Sequence, residues 1–334
     1  RAPRPGGQQR PERTRKDSIN PRLLAAKFRY AQTEREMNHF LEESVDKISL
    51  NAVHVSAAFH ALSKMEHTLS QDFVESPNMR DLATHTKRLI IRGDLGSRET
   101  ATVLRAVASL RQKVPACDGL VQPLLALVPD RVGNMSTWEL SNVFWSVGEM
   151  LPEGPATGEA VMAAEAMAVQ RIKEFSLMDV AEALWGLAAW GAPAVKSPLV
   201  PELLRRLRYL PSQADYAAAT KGLPKIACAL VRLGIWDPVV MDEIAYRLIR
   251  DIGQLRLWSL AATYWAWTRP CSEPRRPTRT SERCDSRSRE YAAHNFMRVL
   301  EEQVEMRGVT PEDIESSPAG PGIRPMAPAR MLGE

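Results

Sequence analysis

Residues 176–191 read SLMDVAEALWGLAAWG: a helix-start signal, Ser176-x-x-Asp179, then one apolar helix that stops at Gly191-Ala192-Pro193. A near copy, STWELSNVFWSVGEM, occupies 136–150, and Trp145 and Trp185 fall at the same place in each. A helix that recurs at a fixed period is a repeat unit, and the period decides the fold. Aligned copies open at Val55, Thr100, Leu140, Val180, Leu223 and Leu260. Their sixth residues are His60, Arg105, Trp145, Trp185, Cys228 and Trp265, at spacings of 45, 40, 40, 43 and 37. Each of these is followed by a small residue and then an apolar one.

Every copy is preceded by another amphipathic segment, over 33–44, 79–93, 120–129, 159–175, 198–210 and 238–252. Apolar residues recur there at helical spacing, as in Leu203, Leu204 and Leu207, and no useful β alternation appears anywhere. The pattern predicts an all-α fold, an α-solenoid of about six to seven helix-pair repeats of ~40 residues. Residues 1–17 are expected to be a disordered basic segment and 18–268 the repeat array. An Arg-rich disordered linker is expected over 269–288, a partial seventh repeat over 289–314 and a disordered tail over 315–334. Second helices apolar on two faces suit stacking on both a partner and a neighbour. The small residue after the tryptophan position predicts close approach of adjacent helices. Ser136-x-x-Glu139 and Ser176-x-x-Asp179 predict capping boxes. Gly222 and Pro224 predict a kink or break in the second helix of the fifth unit.

Charge is unevenly placed. The chain carries net +4, but residues 1–22 hold +5 and 269–289 hold +4, leaving −5 for the remainder. A basic footprint therefore lies in those two segments or in local stripes on an acidic body. The N-terminal arginines, with no acid before Glu12, suit the tail of an organelle transit peptide. Four irregularly spaced cysteines argue for a reducing compartment rather than a disulfide framework. No apolar run is long enough for a membrane span, so no membrane partner is expected.

The signature L-x-x-[VL]-[FL]-W-[SG]-[VL]-x-x-[MW], met in full at 140–150 and from Leu184 onward at 180–190, resembles the octotricopeptide repeat of organellar RNA-binding proteins. It is also similar to the helical repeats of FAST-kinase-like proteins that carry a RAP domain. The opening, Ser18-Ile-Asn20, Leu23, Leu24, Ala26 and then VHVSAAFHALSKM, is similar to the start of such proteins in alveolates. The resemblance covers 18–268, and 289–314 more weakly; the nuclease-like RAP module is not recognisable here. It implies binding of single-stranded organelle transcripts, in a mitochondrion or alternatively a chloroplast, in support of their processing, stability, translation or editing. The other expectation is a HEAT-like scaffold that binds RNA-processing or ribosomal proteins, or is a structural subunit of an organellar ribosome.

Mid-helix tryptophans followed by a small residue, Trp145, Trp185 and Trp265, are expected to be array core rather than base-stacking platforms. Cations recur near the ends of the first helices. They are Lys87, Arg88 and Arg92, then Arg131, then Arg171 and Lys173, then Arg205, Arg206 and Arg208, then Arg247 and Arg250. Stacked repeats would set these ends side by side, as a phosphate-tracking ladder needs. Cations at helix C-termini also have a purely electrostatic account. The six histidines show no HExxH or Cys/His ligand spacing, and neither a phosphate loop nor a nucleophile elbow is present. No catalytic residue, metal or cofactor is expected, and the chain is read as a binding protein rather than an enzyme.

Overall fold

Apolar residues at helical spacing, in several cases started by a capping side chain and at Gly93 and Gly191 stopped by glycine, produce helices throughout the computed structural model. It describes residues 21–45, 50–191, 196–210, 216–269 and 286–316. No strand occurs among the described residues, and the fold is all-α. Residues 1–17, the bulk of 269–288, and 315–334 beyond Ser316 lie outside the described residues.

The helices fall into two interleaved rows. One contains α1 (Pro21–Tyr30), α3 (Ala52–Lys64), α6 (Ser97–Leu110), α8 (Thr137–Met150) and α10 (Leu177–Trp190). It continues with α12 (Tyr216–Arg232), α14 (Leu257–Thr268) and the short α16 (Pro311–Ser316). Each packs on the next of its row. The other row contains α2 (Glu34–Val45), α5 (Pro77–Arg92), α7 (Asp118–Arg131) and α9 (Pro155–Gln170). Its later members are α11 (Leu199–Tyr209), α13 (Pro238–Ile249) and α15 (Ser286–Met306), again packed in chain order. A one-turn helix, α4 (Gln71–Val74), joins α3 to α5. The aligned second helices of the sequence are α3, α6, α8, α10, α12 and α14; α1 extends their row by one.

Local chemistry sets the helix starts. Ser136 accepts from the Glu139 amide while the Glu139 carboxylate accepts from the Ser136 amide at 2.8 Å. Ser176 and Asp179 repeat this box at α10, and Asn51 with His54 forms a variant at α3. Ahead of each box sits a buried apolar residue, Leu50, Met135 or Phe175, which fixes the angle at which the chain enters. The Asp179 carboxylate also accepts from the Thr137 hydroxyl at 2.9 Å, which joins the starts of α8 and α10.

The close approach expected after the tryptophan position is present at Gly186. A methyl group there would lie 2.1 Å from the Phe144 carbonyl oxygen, and one on Gly148 would lie 2.4 Å from that of Gly186. Backbone meets backbone where α8 crosses α10, so only glycine fits. The expected break at Gly222 and Pro224 does not occur, because α12 runs unbroken from Tyr216 to Arg232 with Pro224 inside. Proline removes one hydrogen bond, but packing against α10 and α14 holds the helix through it. Gly222 itself seats against Leu177, Met178 and Ala181 of α10.

Candidate nucleic-acid interface

Residues at matching registers of the second-helix row line one surface. Arg98, Trp138, Met178, Lys221 and Trp258 share one register, and Asn142, Glu182 and Lys225 share the next. Arg105, Trp145 and Trp185 follow, then Lys64, Ser109 and Glu149. Successive registers lie three or four residues apart along each helix, so they form one stripe per helix. The stripes line two cavities. The first, of about 590 Å³, lies between α1, α3, α6 and α8 and includes Arg29, Tyr30, Lys64, Arg98 and Trp138. The second, of about 360 Å³, runs from α6 to α14 and includes Arg105, Trp145, Trp185, Lys221, Lys225 and Trp258. Together they are lined by seven Lys or Arg side chains against four carboxylates. This surface is net positive although the body is net negative.

Ion pairs and ring contacts fix the second cavity. The Arg105 guanidinium lies 4.2 Å from the Trp145 ring centroid and donates to Asn142 Oδ1 at 2.7 Å. It also faces Glu182 at 3.7 Å, whose other oxygen accepts from Lys225 Nζ at 2.7 Å. Four neighbouring helices are thus bridged by one chain of charge, which raises its worth above that of isolated surface pairs. Trp185 meets Trp258 edge-to-face at 5.8 Å, with the Arg232 guanidinium 5.5 Å from its centroid. Burial pushes the Glu149 carboxyl up to about 7, helped by the nearby Glu66 carboxylate and opposed by Arg105, Lys225 and Arg232. Burial likewise raises Glu66.

The tryptophans divide between two roles. Trp185 is buried, as expected of core. Trp145 and Trp258 are half-buried and line the cavity, and Trp138 is exposed. Trp265 is half-buried, with the Arg269 guanidinium 5.5 Å from its ring. A small following residue lets helices approach, but it does not make the tryptophan itself part of the core.

The cations expected from the sequence lie on the other row or its ends, and several are engaged with backbone. Arg131 Nε donates to Leu95 O at 3.0 Å and Arg206 Nε to Phe175 O at 2.9 Å. Arg247 Nη2 donates to Leu210 O at 2.9 Å, and Arg171 and Arg307 donate to Met135 O and Leu255 O. His85 Nε2 fills the same place at 2.7 Å from Leu50 O, and since a carbonyl can only accept, that nitrogen carries the proton. Each acceptor is a buried apolar residue on the approach to a second-row helix. Six donors from the row that begins with α2, five at or near a helix C-terminus and His85 from the middle of α5, therefore latch the preceding unit. Arg205 and Arg208 pair with Glu202 and Asp237. Lys87, Arg88, Arg92, Lys173 and Arg250 are exposed and form no ion pair among the described residues.

Arg29, Arg98, Arg105, Lys221, Lys225 and Arg256 were not singled out by sequence. The signal was available for Arg105, which occupies the aligned position that carries tryptophan in α8, α10 and α14. Burial pushes the Cys117 and Cys228 thiols up to about 12, so neither is a ready nucleophile. No group of three His, Cys, Asp or Glu side chains is placed to hold a metal ion among the described residues. No helix there is long and apolar enough to cross a membrane. No protein-family model matches the chain, and neither does any curated protein.

Proposed function

We propose that this chain is an α-solenoid of helix pairs that binds single-stranded RNA along its second-helix row. The observation that carries this is the interleaving of cations with aromatic rings on the same stripe of successive helices: Arg98 and Trp138, Arg105 and Trp145, Lys221 and Trp258. A positive track follows phosphates, and π-faces accept bases whatever their sequence. Row-by-row packing supports the solenoid, and the octotricopeptide-like signature supports an organelle transcript, mitochondrial in the first instance, as the RNA. The phosphate contacts assigned to the first-helix ends move in this proposal to the second-helix stripe, because Arg131, Arg171, Arg206 and Arg247 already hold backbone carbonyls.

Fluorescence anisotropy with a labelled single-stranded RNA tests it. Affinity should fall steeply between about 50 and about 200 mM salt. Arg98→Glu, Lys221→Glu and Arg256→Glu together should weaken binding and lower the salt slope by about 0.7 for each phosphate no longer neutralised. Lys87→Glu with Arg88→Glu, on the other row, should change it less. Absence of RNA binding at low salt would refute the proposal and leave the protein scaffold as the leading reading.

A further inference from the structure

We propose that the cavity between Trp145, Trp185 and Trp258 takes a single guanine base, read by the Glu149 carboxylate; this rests on the RNA reading above. The cavity's 360 Å³ lies at the small end of ligand pockets, about 300–1,000 Å³, which suits one base rather than an extended ligand. Its walls offer planes on which a base can stack. The Arg105 guanidinium lies over one face of the Trp145 ring, so a base can stack on the outer plane of that pair, and the Trp185–Trp258 pair holds its own ring angle at 71°.

The polar groups select among bases. Glu182 is occupied by Lys225 and Arg105, and Arg105 by Asn142. Glu149 lines the cavity, and its carboxyl forms no hydrogen bond or ion pair among the described residues. It sits one helical turn from Trp145 on α8, so a base stacked at the ring has its edge near the carboxylate. A carboxylate only accepts, and it does so bidentately. Among the four RNA bases, guanine alone presents two adjacent donors, N1–H and N2–H, on one edge. Its O6 and N7 are acceptors and suit the cations on the other walls, Lys221, Lys225 and Arg256. Uracil places one donor between two acceptors, and adenine and cytosine place a donor beside an acceptor. An aromatic cage for an organic cation is disfavoured, because Arg105, Lys221, Lys225 and Arg256 line the same space.

Charge state gives a second handle. Glu149 faces Glu66 from the turn after α3, Arg105 from α6, Glu182 from α10, and Lys225 and Arg232 from α12. Its carboxyl gains a proton as pH falls through about 7, and in that form it matches a donor beside an acceptor rather than two donors. Guanine preference should therefore weaken as pH falls.

The test uses the full chain and short single-stranded RNAs, all uridine except for one central guanine or one central adenine, read by anisotropy and tryptophan quenching. Guanine should bind about tenfold more tightly than adenine at about pH 8, and the ratio should shrink at about pH 6. Glu149→Gln, whose amide matches adenine, should reverse the order, and Glu149→Leu should abolish it. Both should leave the far-ultraviolet circular dichroism in place, and the all-uridine strand is the reference against which each variant's guanine and adenine affinities are read. If both variants keep the wild-type ratio, or the wild type shows none while still binding the uridine strand, guanine reading is overturned and RNA binding stands. If no strand binds at about 50 mM salt, the RNA reading falls and takes this proposal with it.

Discussion

Replacing Gly186 with alanine tests the α8–α10 crossing on which the interface depends. The new methyl would sit 2.1 Å from Phe144 O, 2.3 Å from its carbonyl carbon and 2.6 Å from Trp145 N. Ordinary carbon–oxygen contacts lie at about 3.3 Å or more, so the two helices must part by about 1 Å. All three obstacles are backbone, so no rotamer change relieves them. A gap of that size forfeits about a quarter to a half of each dispersion well. One large side chain at the crossing makes about 40–60 contacts of about 0.1–0.2 kcal/mol, so it alone loses about 2 kcal/mol. Alanine returns about 1 kcal/mol through helix propensity. With two such side chains at the crossing, the net loss should be about 3 kcal/mol, read as a shift in the urea midpoint at constant slope. Gly158→Ala in α9 is the matched control, because its added methyl meets nothing within 4 Å. It should stabilise by about 0.5–1 kcal/mol. On the proposed RNA reading, Gly186→Ala should also weaken RNA binding in the fraction still folded, since α8 carries Trp145 and α10 carries Trp185. Equal effects of the two substitutions would refute the backbone contact.

Two further outcomes follow from the site geometry. Arg247→Met removes the buried donor to Leu210 O and should lower stability by about 2–3 kcal/mol in chemical denaturation, with the salt slope of the proposed RNA binding unchanged. Glu149 holds its proton more tightly folded than unfolded, so its contribution to stability is full below about pH 4.5 and is lost as pH rises through about 7. Thermal melts should accordingly show Glu149→Gln flattening that decline and raising the melting temperature at about pH 8 relative to wild type.

The helices and their order were legible because one face of every second helix must be apolar, and that requirement repeats visibly in Leu140, Val143, Phe144 and Val147. Capping boxes at Ser136 and Ser176 were legible for a similar reason, since they depend on residues three apart. Pro224 misled because a local rule was applied where packing from two sides prevails. The interface was harder to see. Cations at first-helix ends form a pattern in sequence whether they meet phosphate or carbonyl oxygen, and only the partner distinguishes the cases. Arg131 and Lys87 read alike as letters; one holds Leu95 O and the other is exposed. The stripe was obscured by its own variety, because arginine, tryptophan, methionine and lysine share one register and no single residue type runs through it.

The carbonyl latch has one further consequence. Donor and acceptor are 31 to 37 positions apart at the five earlier steps but 52 at the last, Arg307 to Leu255. The step between units is therefore set by the grip at its two ends and not by how much chain is spooled between them. Lengthening a loop is inexpensive, with each doubling costing about 0.6 kcal/mol of closure entropy. Chain added between Leu255 and Arg307, outside the described helices, should therefore leave the packing of α14 and α15 unchanged.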